Sequence, residues 1–244
     1  MIRCFLLLLG LLVAAPAPAR PLLILADASV QGAVAAAADA WTAAGGDRPA
    51  ITIGNSSALG ARIAALAPAD LFISADAAAM QAIARRGLLR PGSTAALPMT
   101  NRIVLVTRGS GRDVFRLIQG RQPLPSGRLA LAADPYGKPA LLALGLWPSV
   151  SGRIVAAAHG REALDLVARG RADLAIVPLT DARQSARTRI IGIFPLNSHP
   201  PFAYGVAIPA TSSNDDADLF RRFLLSRRGH ALFARFGFLA RPES

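Results

Sequence analysis

Lysine is almost missing from this chain. Of its 27 basic residues only Lys138 is a lysine, and the rest are arginine. Acidic residues number 15, so the formal net charge is +12. A balance this basic raises nucleic acid as a partner. The arginines are scattered, however, and no long basic run is interleaved with aromatics, which argues against a nucleic-acid face. Several follow helical segments, as Arg85 and Arg86 do, where a cation favours the negative helix end. Cysteine is as scarce. The single cysteine, Cys4, lies in the opening stretch MIRCFLLLLGLLVAAPAPA. There Arg3 is a short positive start, Phe5 to Val13 an apolar run, and Ala17-Pro18-Ala19 a cleavage pattern. These predict a secretory signal peptide over 1–19, with Arg20 as the first mature residue. The apolar run is short for a membrane span, and no small-residue box precedes Cys4 to suggest a lipid anchor. The mature chain would then have no cysteine, hence no disulfide scaffold and no thiol chemistry. No later apolar run reaches the length of a bilayer span, so the expectation is a soluble protein exported to the periplasm.

Histidine is also sparse. His159, His199 and His230 show no metal-ligand spacing to one another, and no directly bound metal or cofactor is expected. There is no G-x-S-x-G elbow, no H-E-x-x-H, no G-x-x-x-x-G-K and no G-x-G-x-x-G after a strand. The sequence therefore predicts no enzyme, and a secreted hydrolase built around Ser56 is only a distant alternative. His199 in NSHPP reads as an exposed loop residue and His230 as part of a solvated helix face. Asp70 and Asp76 bracket the strand LFIS as edge or cap residues.

What the chain does have is apolar residues, 52% of its 244, enough for a sizeable core in one large domain or two small ones. They alternate between strand-like and helix-like patterns. PLLILAD, AITIGN, DLFISAD, RIVLVT, RLALAAD, DLAIVP, RIIGIFP and FAYGVAI read as strands. Helical spacing follows Ser29 up to Gly45-Gly46, follows the serine pair at 56 and 57, follows Asp76, and returns over Pro139 to Leu146, over Glu162 to Ala168 and twice in the tail. This alternation predicts an α/β architecture with mostly parallel sheets. No internal repeat, low-complexity linker or long charge run is visible.

Three strand-to-helix junctions carry small residues: DAS at 27–29, GNSS at 54–57 and DPYGKPA at 134–140. Ligands in open α/β sheets bind beyond the carboxyl ends of strands. Helix starts offer unpaired N–H groups and a positive dipole end, which suit anions. Ser29, and Ser56 or Ser57, read first as helix N-caps. Capping does not exclude a second role, because a hydroxyl at a helix start also donates to a ligand.

Taken in order, LADASVQGAVAAAADAW, GNSSALGARIAALAPADLFISAD, DPYGKPALLALGLW, FPLNSHPPFAYGVAI and LFARFGFL resemble the periplasmic molybdate-binding proteins of ABC transporters. APADLFISAD after a serine cluster is the most specific piece. The resemblance implies a two-lobed, type II-like periplasmic-binding-protein fold, each lobe a mostly parallel sheet flanked by helices, with the ligand cleft between them. Lobe I would hold 20–98 plus 205–244, and lobe II 99–204, with crossings near Pro98 to Arg102 and near Pro201 to Gly205. It implies capture of molybdate or tungstate by a monomer that delivers it to an inner-membrane permease. A related preference for sulfate or phosphate is the nearest alternative.

The family grips its tetrahedral oxyanion with neutral donors. Carried over by position, these fall on Ser29, on Ser56 with Ser57 one residue away, on the amide of Ala140 and on the amide of Gly160, where the family often has valine. Two departures stand out. A family tyrosine whose hydroxyl reaches the anion falls on Pro178, which offers neither hydroxyl nor N–H. Thr180 and Tyr136 are the candidate replacements. Asp27 stands where a small apolar residue is usual, and a carboxylate there is expected to point away from the site or to pair with an arginine.

Overall fold

The computed structural model describes residues 20–114, 116–120 and 122–240, so the signal-peptide reading of 1–19 lies outside the described residues. The first strands and helices alternate as the apolar pattern requires: β1 (Leu23–Asp27), α1 (Gln31–Ala43), β2 (Ala50–Gly54), α2 (Ser56–Ala64), β3 (Leu71–Ser74) and α3 (Ala77–Arg85). Two short strands, β4 (Ala95–Ala96) and β5 (Met99–Thr100), lead to β6 (Ile103–Arg108). A second alternation follows: β7 (Leu129–Ala132), α4 (Gly137–Ala143), α5 (Trp147–Val150), β8 (Ile154–Ala157), α6 (Gly160–Ala168), β9 (Leu174–Pro178) and α7 (Leu179–Arg183). The chain closes with β10 (Thr188–Ile193), β11 (Gly205–Ala207), α8 (Asp216–Leu225), α9 (Arg227–Arg235) and β12 (Leu239–Ala240).

These strands form two five-stranded sheets, ordered β2-β1-β3-β11-β4 and β10-β6-β9-β7-β8, while β12 pairs with β5. The sheets are mostly parallel, as expected, with one reversed strand in each. In the first, β2, β1, β3 and β4 run one way, and β11, antiparallel to both β3 and β4, runs the other. In the second, β9, β7, β8 and β10 run one way, and β6, antiparallel to both β9 and β10, runs the other. The physical reason lies in the connections. A strand followed by a helix returns parallel, whereas β6 and β11 arrive directly from the other sheet, with no crossover helix to reverse them.

Each sheet buries both faces. Leu25, Phe72, Leu59, Ile63 and Ile83 pack on one face of the first sheet. Val104, Val106, Val177, Leu164 and Val167 do so on one face of the second. The remaining faces share one continuous core that runs from Ile24, Val34 and Ile73 through Phe202 and Tyr204 to Leu131, Leu141 and Ile176. The tail joins the first sheet: Phe220 and Phe223 of α8 pack on Trp41 of α1, with the Trp41 and Phe220 ring centroids 5.4 Å apart and edge-on.

Asp70 is more than an edge residue. It is fully buried, and Arg20 grips both its oxygens at 2.6 and 2.8 Å. Leu23 N–H at 2.9 Å and the Ser212 hydroxyl at 2.7 Å complete its shell. Burial alone would raise this carboxyl, but the Arg20 guanidinium and the two further donors outweigh it and hold the carboxyl below the usual range. The link ties the first strand to the segment leading into α8.

Candidate functional site

The three parallel strands of each sheet share one wiring. β1 lies between β2 and β3, and β7 lies between β8 and β9. In both, the carboxyl ends of the middle strand and its neighbours meet at a switch in chain direction, where a crevice forms. All six strand-to-helix junctions line a single cavity. The first sheet contributes Asp27 to Ser29, Asn55 to Ser57, and Ala75 with Asp76. The second contributes Ala133 to Tyr136, His159 with Gly160, and Pro178 with Asp181. Phe202, from the segment that returns to the first sheet, lies beside them.

The serines do not cap their helices. Ser29 sits inside a single 3-10 turn, Ala28–Val30, whose cap is the Asp27 side chain. For α2 the cap is Asn55, whose side-chain oxygen accepts from Ala58 N–H at 2.7 Å, so Ser56 is the first helical residue. Both serines are thereby free to donate into the cavity, and both donate to Asp27. One oxygen of its carboxylate accepts from Ser29 N–H at 3.0 Å and the Ser29 hydroxyl at 2.7 Å. The other accepts from Ser56 N–H at 3.1 Å and the Ser56 hydroxyl at 2.6 Å. Asp27 thus neither points away nor pairs with an arginine, as its position suggested. It turns into the donor set, because four aligned neutral donors satisfy a carboxylate as well as they would any oxyanion. Ser56 Oγ also accepts from Ala75 N–H at 3.0 Å, which fixes its rotamer. Ser57 lines the cavity rim but is exposed.

On the second side the sequence-derived positions fare unevenly. Gly160 starts α6 at the cavity wall, behind a His159 cap that accepts from Glu162 N–H at 3.2 Å. A Cβ on Gly160 would lie 2.7 Å from Pro178 Cδ and 3.1 Å from an Asp181 oxygen. The two departures at 160 and 178 are therefore one unit, since the proline ring occupies the space a valine side chain would need. Ala140 is not among the lining residues. Asp134 Oδ1 accepts from Tyr136 N–H at 3.0 Å and Gly137 N–H at 3.2 Å, so α4 begins at Gly137, two residues before the expected Pro139. The Ala140 amide then falls inside the helix and donates to Tyr136 O at 3.1 Å.

Neither candidate replacement for the missing hydroxyl is free. Thr180 is fully buried behind the cavity, and its Oγ1 accepts from Asn101 Nδ2 at 2.8 Å. Tyr136 donates its hydroxyl to Ala75 O at 2.5 Å and stacks on Phe202, with centroids 3.8 Å apart. That bond joins the two sides of the cavity. Burial pushes the Tyr136 phenol well above its usual range, so it stays protonated with its hydrogen committed to Ala75 O. A buried chain runs behind the cavity: Asn101 Nδ2 also donates to the Tyr204 hydroxyl at 3.1 Å, which lies 3.0 Å from Ser29 Oγ.

The electrostatics of the cavity are dominated by carboxyl groups. Among the described residues no arginine or lysine lines the cavity. Desolvation pushes the Asp134 carboxyl up to about 6, against the two backbone donors that stabilise its ionised form. Desolvation pushes Asp181 up to about 7, with Arg161 opposing and Asp27 and Asp134 adding to the rise. Arg161 Nε stands 3.4 Å from Asp181, too poorly placed to count as a hydrogen bond. No metal-holding group of three or more His, Cys, Asp or Glu exists among the described residues.

Two residues depart from their sequence reading nearby. His199 is buried rather than exposed, edge-on to Tyr136 and Phe202, with its Nδ1 bonded to Pro200 O at 2.7 Å. His230 is half-buried with its Nε2 enclosed, so it is not on a solvated face. Asp76 caps α3, as expected, by accepting from Ala78 N–H.

Comparison with known proteins bears on the chain as a whole. Residues 22–239 match the family model described as bacterial extracellular solute-binding protein. The molybdate-binding protein ModA of Escherichia coli (strain K12) is 32% identical over 194 residues, 75% of each chain. ModA of Haemophilus influenzae is 28% identical over 195 residues, 77% of each. The structure of the periplasmic molybdate-binding protein of Azotobacter vinelandii superposes with a TM-score of 0.77 at 24% identity, covering 91% of this chain and all of that one, which establishes the common fold.

Proposed function

Because the chain belongs to the bacterial extracellular solute-binding protein family, we propose that it captures molybdate or tungstate in the periplasm and hands it to an inner-membrane ABC permease. The observation that carries this reading is the convergence of Ser29 and Ser56 on one cavity, hydroxyl and amide from each, opposite the helix start at Gly160. Neutral donors of this kind satisfy the lone pairs of a dianion without a counter-ion. The names of the relatives supply the solute. Molybdenum is cargo here, carried as its oxyanion, and no residue coordinates the metal. The protein does no chemistry on it, works as a monomer and needs no cofactor. Residues 20–98 with 205–244, and residues 99–204, act as lobes that close on the solute about the segments near Asn101 and Phe202. Residues 1–19 direct export and are cleaved off near Ala19, leaving Arg20 as the first mature residue.

A thermal denaturation series against molybdate, tungstate, sulfate and phosphate tests the reading. A bound solute at a hundredfold excess over Kd stabilises the fold by about 2.7 kcal/mol. The expected result is a rise in Tm with molybdate and tungstate at micromolar concentration. A rise with sulfate or phosphate alone would move the assignment to those anions, and no rise with any of them would end it.

A further inference from the structure

The four donors best placed to hold an oxyanion already hold one, and it belongs to the protein. Asp27 takes both N–H and both O–H groups of Ser29 and Ser56, two on each oxygen. Each of these groups has a single hydrogen directed at the carboxylate, so the same four cannot serve Asp27 and a solute at once. For the solute to use them, Asp27 must give them up.

Two routes are open. In one, Asp27 swings away as a carboxylate. It would then face Asp76, Asp134 and Asp181 in a cavity that no arginine or lysine lines, and the arriving dianion would add to the repulsion. In the other, Asp27 takes a proton. The carboxyl group then asks for fewer donors, carries no charge, and turns its own O–H on the solute as one further donor. The second route answers both the count of hydrogen bonds and the charge.

We infer, on the footing of the oxyanion-capture reading above, that Asp27 is a specificity residue that makes the cleft take up its oxyanion together with one proton. The proton comes from solvent to an Asp27 oxygen, and its hydrogen bond runs from that oxygen to the solute. Solutes that arrive already carrying a proton satisfy the same geometry without charging the site. The titratable groups that face Asp27 are Asp76 at the start of α3, Asp134 and Tyr136 before α4, His159 before α6, Asp181 in α7 with Arg161 behind it, and Tyr204 behind Ser29.

Isothermal titration of molybdate into the mature protein, in two buffers of different ionisation enthalpy, counts the protons. Between about pH 6 and 8.5 the wild type is expected to take up close to one proton per molybdate, with affinity falling about tenfold per pH unit. Asp27→Ala and the isosteric Asp27→Asn should take up none, bind molybdate with little pH dependence, and at pH 8 bind at least about 100-fold more tightly than wild type by the same linkage over the two units from pH 6. Asp134→Asn and Asp181→Asn should keep the uptake. Molybdate binding by the wild type without proton uptake, or uptake that survives in both Asp27 variants, overturns this inference alone. Failure of the wild type and both variants to bind any tetrahedral oxyanion overturns the capture reading, and this inference with it.

Discussion

The two sheets present the same three junctions to one cavity and fill them with different chemistry. On the first side the turns after β1, β2 and β3 are capped by Asp27, Asn55 and Asp76, and two serines supply hydroxyls. On the second side the corresponding turns carry Asp134, His159 and Pro178, and no free hydroxyl reaches the cavity from them. A shared backbone wiring therefore places the helix starts, while side chains decide what each start can grip. The first side holds by directed hydroxyls and amides. The second offers backbone, a proline ring and two carboxyls that resist ionisation. It fixes the shape of the cavity more than the number of its donors.

The hardest way to break this division is Gly160→Val. The new side chain would press on Pro178 and Asp181, and overpacking of this kind costs about 1–3 kcal/mol. Urea unfolding should register that loss, with molybdate binding abolished because α6 is displaced from the cavity wall. Pro178→Ala in the same chain should recover most of both, and a double-mutant cycle should return a coupling above about 1 kcal/mol. Additive effects would show that the two positions do not form a unit.

Next come the serines. Hydrogen bonds to charged groups contribute about 1.5–3 kcal/mol, so Ser29→Ala and Ser56→Ala should each weaken molybdate binding roughly 10- to 150-fold by calorimetry. Ser56→Ala should also lose some stability, because Ala75 N–H loses its acceptor. If neither variant binds more weakly, the first side is not the gripping side.

Asp181→Asn probes the second side through pH. A carboxyl held up at about 7 in the fold binds its proton more tightly than in the unfolded chain. The unfolded state therefore carries fewer protons between about pH 4 and 7, and stability falls as pH rises through that window. The asparagine variant removes this penalty. It should match wild type near pH 4 and exceed it by about 1–3 kcal/mol at pH 8, as paired urea titrations would reveal. An unchanged difference across pH would mean that Arg161 keeps Asp181 ionised. The smallest effect belongs to Ser57→Ala. Its side chain is exposed at the rim, so binding and stability should stay within about 0.5 kcal/mol of wild type.

Much of the architecture was legible because apolar periodicity is a strong signal. The strands β1 to β3, β6, β7 and β9 lie where continuous apolar runs and flanking turn residues put them, while the short β8 went unread. The repeated wiring was not legible. β1 to β3 and β7 to β9 share an order in space but no sequence pattern, since any apolar run serves a buried strand. At the site, residue positions could be read further than side-chain directions. Ser29, Ser56 and Gly160 line the cavity, yet the direction of Asp27 depends on Ser56, 29 residues later, and on no local pattern. The helix holding Ala140 starts two residues before the expected Pro139, because the Asp134 side chain fixes its first turn. The burial of Asp70 depended on a partner 50 residues away, Arg20. The contact between Gly160 and Pro178 had a clue in the sequence, two departures from one family pattern, but only their proximity in space links them.

The absence of arginine and lysine from the cavity walls, in a chain of formal net charge +12, bears on speed. At a distance the excess positive charge draws anions toward the molecule, within a Debye length of about 8 Å at physiological ionic strength. Over the last few ångströms the field changes sign, because the nearest formal charges are those of aspartates. A solute is gathered readily and then crosses a short uphill step into neutral donors. Added salt should therefore slow its arrival while leaving its residence time, set by those donors, almost untouched.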